Sequence, residues 1–308
     1  MDKVIIDTDI GVDDAFAIAY ASKYLNIIGL TTVFGNVPVG QAVKNAKLFI
    51  KKINLNTEIY KGCSRPLAIE PIPVGTKVHG EDGLGGVFDN PYDEDADDAI
   101  SFIINSIKEN PSEITLIPIG PLTNISVALN RAPEIAKLVK KVIIMGGAYG
   151  SFGHFGNATP FAEFNFWKDP HAADQVLSSE LPITIVPLDV THQVLVTGDE
   201  IRGANNELFE QIAEFYLQYS LREEGFDGMA LHDSLAIAYA LNPEYFRIVE
   251  SPLRVVTEGI CIGQSILKPK YSATRTDPFA NLKYQNVCLD VDIAKVKKHF
   301  IDTLTYKF

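Results

Sequence analysis

Four aspartates within eight residues, Asp7-Thr-Asp-Ile-Gly-Val-Asp-Asp14, constrain this chain more than any other feature. They follow the apolar run Val4-Ile5-Ile6, which reads as a short buried strand. They precede Ala15–Tyr24, whose apolar residues recur at helical spacing. The acids therefore fall on a strand-to-helix turn, where ligands bind in open α/β sheets. Four like charges this close repel, and some take up protons unless a cation or hydrogen-bond donors offset them. Acids in a first helical turn complement the helix dipole, which accounts for Asp13 and Asp14 but not for Asp7 and Asp9. A hard cation with oxygen ligands accounts for the whole cluster.

The rest of the chain alternates strand and helix. The pattern predicts strands at Lys3–Asp7, Ile27–Phe34, Ile114–Ile119, Lys141–Met145, Ile183–Pro187 and Arg247–Thr257. It predicts helices near Asp13–Lys23, Val39–Lys52, Ala96–Glu109, Asn124–Asn130, Pro170–Leu177, Glu207–Arg222, Leu231–Ala240 and Ile293–Thr303. Such alternation implies an α/β fold, with a central, mostly parallel (mixed) sheet flanked by helices around a Rossmann-like core. No internal repeat or Gly-, Ser- or Pro-rich linker divides the chain, so residues 1–308 are expected to form one domain. The acid run Asp93–Asp98 is expected to cap and solvate the helix after it rather than to bind metal. Gly263–Tyr284 is polar and irregular and suggests no element. Two glycine-rich loops, Val78–Gly86 and Gly146–Asn157, interrupt the alternation. Loops of that length in compact domains are often binding loops or lids. Neither has the spacing of a phosphate cradle.

The net charge of −12 argues against a nucleic-acid partner, which needs a basic surface. No apolar run is long enough to span a membrane, and no charged-then-apolar leader precedes the acid turn. A cytoplasmic location with no membrane partner is the expectation. Cys63, Cys261 and Cys288 are odd in number and lack CxxC spacing, so neither a disulfide framework nor a zinc site is suggested.

Further motifs follow the acid turn in order. They are Thr32-Val-Phe-Gly-Asn36, His79-Gly-Glu-Asp-Gly-Leu-Gly-Gly86, Pro118-Ile-Gly-Pro-Leu-Thr-Asn124, Met145-Gly-Gly147, Asn157-Ala-Thr-Pro-Phe-Ala-Glu-Phe-Asn165, Asp169-Pro-His-Ala-Ala173, Pro187-Leu-Asp-Val-Thr191 and Leu231-His-Asp-Ser234. Together with Asp7–Asp14, the set closely resembles the inosine–uridine-preferring nucleoside hydrolase family along almost the whole chain. The resemblance implies an N-ribosyl hydrolase that cleaves ribonucleosides to ribose and free base. It also implies one Ca²⁺ per subunit, held by Asp9, Asp14, Asp233 and the carbonyl of Ile119, where the family often has Thr. Calcium accepts roughly six to eight oxygens in flexible geometry, which leaves room for a water and two ribose hydroxyls.

The resemblance extends to the chemistry. Asp9 matches the general base toward a metal-activated water, and Asp13 matches the contact to the ribose 2′-hydroxyl. Asn36, Asn157, Glu163 and Asn165 match further ribose contacts, suited to a sugar that gains oxocarbenium charge. His232, next to Asp233, matches the proposed acid for the leaving base, and His79 matches a second pocket histidine. Phe226, with Tyr219, Arg222 and Glu223, lies where the family contacts the base, although a solvated helix face fits Arg222 and Glu223 equally. Asp7 fits either a support residue that orients the turn or a buried hydrogen-bonding residue. Histidines at 79 and 232, with Trp167 the sole tryptophan, fit the pyrimidine-preferring or nonspecific group. His154 lies on a loop suited to shielding a pocket, and His171, His192 and His299 carry no catalytic expectation. The implied partners are a small-molecule ribonucleoside and further copies of the chain, as homodimer or homotetramer.

Three other readings compete. A phosphatase of the haloacid dehalogenase type shares the Asp-x-Asp turn, but its later lysine and acid pair have no convincing counterpart. An EF-hand places its glycine one position later in a loop between helices, whereas a strand precedes Gly11. A ribose- or nucleoside-binding protein without catalysis would keep the cation site; the intact set Asp9, Asp13, Asp14, His232 and Asp233 argues against it.

Overall fold

The structure is a computed structural model that describes residues 1–72, 76–270 and 275–308. β1 (Lys3–Thr8) leads through the acid turn into α1 (Val12–Tyr24). β2 (Asn26–Thr32), α2 (Val39–Lys52), β3 (Ile59–Lys61), the single turn α3 (Thr76–His79) and β4 (Asp97–Asp98) follow. Next come α4 (Ala99–Glu109), β5 (Ile114–Pro118), α5 (Thr123–Arg131), β6 (Lys141–Met145), α6 (Phe164–Lys168), α7 (Pro170–Leu177), β7 (Ile183–Val186) and α8 (Leu188–Thr191). A ribbon of β8 (Leu195–Thr197) and β9 (Gly228–Ala230) encloses α9 (Gly198–Gly203) and α10 (Glu207–Tyr219). The chain ends with α11 (His232–Leu241), β10 (Phe246–Ser251), β11 (Leu253–Val255), β12 (Ser265–Leu267), β13 (Gln285–Val291) and α12 (Ile293–Leu304).

Among the described residues, nine strands form one sheet in the order β10-β13-β7-β6-β5-β1-β2-β3-β4. Every pair is parallel except β10 with β13. Successive strand side chains point to opposite faces, and the core divides accordingly. Val4, Ile6, Ile117, Ile143 and Val186 join one apolar cluster, while Ile5, Leu116, Val142, Ile144 and Ile185 join the other. Helices cover both clusters, as a parallel sheet requires. From β1 the chain moves outward to β4, then returns to build β5 on the other side of β1. That reversal opens a crevice beyond the carboxyl ends of β1 and β5, and the acid turn leaves β1 at that point.

The expected α/β architecture stands, with local differences. The predicted strand Arg247–Thr257 breaks at Pro252, which has no N–H to give to a ladder. β10 pairs with β13 in the main sheet, whereas β11 pairs with β12 in a separate ribbon. The predicted helix Ala96–Glu109 starts at Ala99, because Asp98 caps it by accepting from Ser101 N at 2.7 Å. Asp97 and Asp98 also pair with Tyr60 and Lys61 at the sheet edge. The helix predicted over Glu207–Arg222 is α-helical to Tyr219 and continues as a π-helical turn over Ser220–Glu224. β12 lies within the unassigned Gly263–Tyr284 stretch, and residues 271–274 of that stretch lie outside the described residues.

Asp7 anchors the strand ends beneath the crevice. Its Oδ1 accepts from Thr31 Oγ1 at 2.5 Å and from Asn124 Nδ2 at 2.7 Å. Asn124 Nδ2 also donates to Thr32 O, and its Oδ1 accepts from Cys63 N at 2.8 Å. One buried amide thus joins β1, β2, the segment after β3, and α5. Replacing it leaves Asp7 and the Cys63 N–H short of a partner. Asn124→Ala is expected to lower unfolding free energy by about 2–4 kcal/mol in urea titration. A loss below about 1 kcal/mol would show that the amide does not hold these elements together.

Candidate active site

The acid turn folds as it does because its own backbone and side chains partner one another. Asp14, in the first turn of α1, accepts from Gly11 N at 2.8 Å and from Thr8 Oγ1 at 2.5 Å. Asn36 Nδ2 reaches the same carboxylate at 3.2 Å. Asp9 accepts from Asn36 N at 2.6 Å, while its Oδ1 is buried with no hydrogen-bond partner among the described residues. Main chain closes tightly around Asp9. A Cβ on Gly35 would lie 1.9 Å from its Oδ2, and one on Gly120 would lie 2.9 Å from its Oδ1. Asp13, Asp14 and Asp233 each bring one carboxylate oxygen within 4.8 Å of the others. Asp233 arrives from the first turn of α11, more than two hundred residues away in sequence.

All of these acids are buried, and their charged forms suffer for it. Burial pushes Asp13 up to about 6. Burial and then the charge of Asp13 push Asp14 up to about 6. Asp9 and Asp233 are held well above the carboxylate range, first by burial and then by their acidic neighbours.

A cavity opens over this cluster. Asp13, Asn36, Ile119, Asn157, Glu163, Phe164, Asn165 and Asp233 are among its lining residues. Glu163 caps α6, accepting from Asn165 N at 2.8 Å, Gly147 N at 2.9 Å and Phe166 N at 3.2 Å. Burial nevertheless raises it to about 7. Asn165 Nδ2 donates to the Ile119 carbonyl at 2.9 Å, which fixes that oxygen at the end of β5.

Part of the lining carries imidazoles and phenols. His79 Nδ1 accepts from Val12 N at 3.1 Å, which leaves the ring proton on Nε2. Gly11 makes room for this contact, since a Cβ there would meet His79 Nδ1 at 2.8 Å. His232 Nδ1 lies 2.8 Å from Thr191 Oγ1. Burial lowers His79 to about 4 and, together with the neighbouring imidazoles, lowers His232 to about 3. Both rings rest neutral. Tyr216 and Tyr219, three residues apart on one face of α10, complete this part of the lining, and Tyr216 lies edge-on to His79 at 5.8 Å.

The structure thus brings Asp13, Asn36, His79, Ile119, Asn157, Glu163, Asn165, His232 and Asp233 to one cavity. Asp9 and Asp14 sit directly behind its wall, buried and in electrostatic contact with it. Phe226 is not among the lining residues; its ring packs where a Cβ on Gly228 would stand, at 2.4 Å. Arg222 and Glu223 are exposed on the π-helical turn. Among the ring-bearing lining residues, Tyr216 and His192 carry no expectation from sequence. His192 follows the Pro187–Thr191 motif at the carboxyl end of β7, and that placement is the signal that could have found it. Tyr216 is masked in sequence by an ordinary amphipathic helix.

A sequence model of the family described as inosine-uridine preferring nucleoside hydrolase matches residues 4–298. The chain is 36% identical over 275 residues to the pyrimidine-specific ribonucleoside hydrolase RihB of Escherichia coli O1:K1 / APEC, covering 86% of each chain. It superposes on a solved plant nucleoside hydrolase, the PpNRh1 enzyme, with a TM-score of 0.93 at 32% identity, over 99% of both chains. A purine-preferring ribonucleoside hydrolase from Gardnerella vaginalis superposes with a TM-score of 0.89 at 32% identity, over 98% of both chains.

The residues present fit a hard divalent cation. The donors are all oxygen, the carboxylates of Asp13, Asp14 and Asp233 converge, and Asp9 Oδ1 and Asp13 Oδ1 are buried without hydrogen-bond partners among the described residues. The acid shifts give this fit a measurable sign. In the unfolded chain these carboxyls ionise near 3.8, whereas in the cation-free folded chain Asp13 and Asp14 keep protons to about 6 and Asp7 to about 7. The folded state then binds more protons than the unfolded state, so stability falls as pH rises through that window. With chelator, Tm is expected to drop between about pH 5 and about pH 8, and excess Ca²⁺ should remove the drop by favouring the ionised cluster. Identical Tm–pH curves with and without calcium would count against a cation site.

Proposed function

Because the chain belongs to the inosine-uridine preferring nucleoside hydrolase family, we propose that it hydrolyses the N-glycosidic bond of ribonucleosides, with calcium in the acid cluster and a preference for pyrimidine bases. The observation that carries this reading is that one cavity is lined both by acids and amides and by imidazoles and phenols. A ribonucleoside offers a group to each kind: a polyol, and a planar, hydrogen-bonding base.

Asp9, Asp14, Asp233 and the Ile119 carbonyl would hold the cation. Such a cation lowers the pKa of a bound water and holds it in place. Asp9 takes the water's proton, and its unpartnered Oδ1 supplies the free acceptor. Asp13, Asn36, Asn157, Glu163 and Asn165 hold the ribose hydroxyls. As the C1′–N bond breaks, the sugar gains positive charge and the base keeps the electron pair. The buried carboxylates beneath the sugar stabilise the former. His232 and His79 face the latter. His79, with its proton on Nε2, presents an N–H donor; His232, neutral at rest, relays a proton from solvent to the departing base and so returns neutral, while Asp9 later releases the water's proton to solvent. Acid help of this kind is worth ~10²–10⁴-fold in rate. Water's oxygen ends on C1′, one of its protons on Asp9, and the base leaves protonated.

Base preference follows from the rings of the lining. Tyr216, Tyr219, His79, His192 and His232 supply them, and no tryptophan is among the lining residues to stack a purine. RihB is named pyrimidine-specific, which supports the reading. The purine-preferring relative shows that this fold accepts either base, so the lining side chains and not the architecture set the preference.

A panel of ribonucleosides assayed for ribose release tests the proposal. Uridine or cytidine is expected to turn over faster than inosine or adenosine, with activity lost to chelator. Asp233→Ala should abolish turnover and calcium binding together, measured by calorimetry; wild-type rates would overturn the assignment. Deoxyuridine should fall below uridine in kcat/KM by ~10⁴ or more, because the missing hydroxyl leaves buried polar groups unpaired. Comparable values would remove Asp13 from the sugar contact.

A further inference from the structure

The short helix α8 and the histidine after it contact both the glycine-rich loop and the imidazoles of the cavity lining. Asp189 holds the loop, accepting from Tyr149 N at 2.7 Å and from Ser151 N at 2.6 Å. Gln193 Nε2 ties back to Asp189 O at 2.7 Å, so the end of the helix is fixed. Thr191 bonds His232 Nδ1. His192 stands edge-on to His232, with ring centroids 5.2 Å apart and planes at 67°. On its other side it stands edge-on to His154 of the loop, at 4.6 Å and 66°.

One hydrogen bond fixes one nitrogen of an imidazole but leaves the ring free to tilt about it. An edge-to-face neighbour fixes the plane. We propose that His192 is a positioning residue: it sets the plane of the His232 ring toward the leaving base, and its contact with His154 makes that setting depend on the seating of the glycine-rich loop. The contact works by shape. His192 Nδ1 is buried and has no hydrogen-bond partner among the described residues, so no bond from that nitrogen explains the ring's presence at the cavity wall.

This inference rests on the hydrolase reading and is tested so that the two fail differently. Uridine needs help for its departing base. The riboside 4-nitrophenyl β-D-ribofuranoside does not, because its phenolate leaves without a donated proton. In His192→Ala, kcat on uridine is expected to fall on the order of tenfold to a hundredfold, the usual scale for a misplaced catalytic group. Any loss of kcat on the nitrophenyl riboside should be at least about tenfold smaller than the loss on uridine, and retained turnover of that riboside also shows that the variant folds. His192→Phe keeps the ring and drops both nitrogens, and should recover most of the kcat on uridine that the alanine variant loses. Equal losses on both substrates in His192→Ala would overturn the positioning role while leaving the hydrolase reading intact. So would a phenylalanine variant as slow as the alanine one. A wild-type enzyme inactive on both substrates would overturn the hydrolase reading and this role with it.

Discussion

Repulsion among buried carboxylates is the interaction on which the rest of this structure depends. Asp9, Asp13, Asp14 and Asp233 are buried together, and beyond the cost of burial itself the charges of neighbouring acids penalise Asp9, Asp14 and Asp233 further. A fold tolerates such a cluster only if surrounding groups hold the acids in place. The switch point between β1 and β5 supplies them. Backbone N–H groups of Gly11 and Asn36, the Thr8 hydroxyl and the Asn36 amide all point at the acids. Below them Asp7, itself pushed up to about 7, is tied to three elements through Asn124. The site is therefore a layered hydrogen-bonded structure, and the sheet beneath it serves as its floor.

Much of this was legible in the sequence because the relevant signals are local. A strand ending in acids, followed by helical periodicity, placed the turn correctly. The alternation of elements gave the class of fold. What the chain alone obscured was non-local. β13 is a sheet strand that alternates polar and apolar residues only loosely, because part of it is half-exposed beside β10. Pro252 splits a continuous-looking apolar run between two sheets, and no periodicity reports which sheet an edge residue joins. β3 is three residues long, too short to show a period.

The two kinds of lining residue differed in the same way. The acids and amides are written in motifs, since their geometry comes from turns whose residue types are dictated by hydrogen bonding. Of the ring-bearing residues, His79 and His232 stand in motifs too, whereas Tyr216 and Tyr219 lie on a helix face where any large side chain would satisfy the pattern. Phe226 had the right chemistry, yet its ring turns to cover Gly228. Tyr216 and His192 look unremarkable in the chain and become lining residues only when α10 and the turn after α8 meet at one cavity.

The glycines at 35 and 120 draw these points together. A methyl group at either position would stand against the Asp9 carboxylate, 1.9 Å from it at 35 and 2.9 Å at 120. Descent can therefore alter these two positions only by displacing that acid, and a lineage that kept the acid in place would keep both glycines.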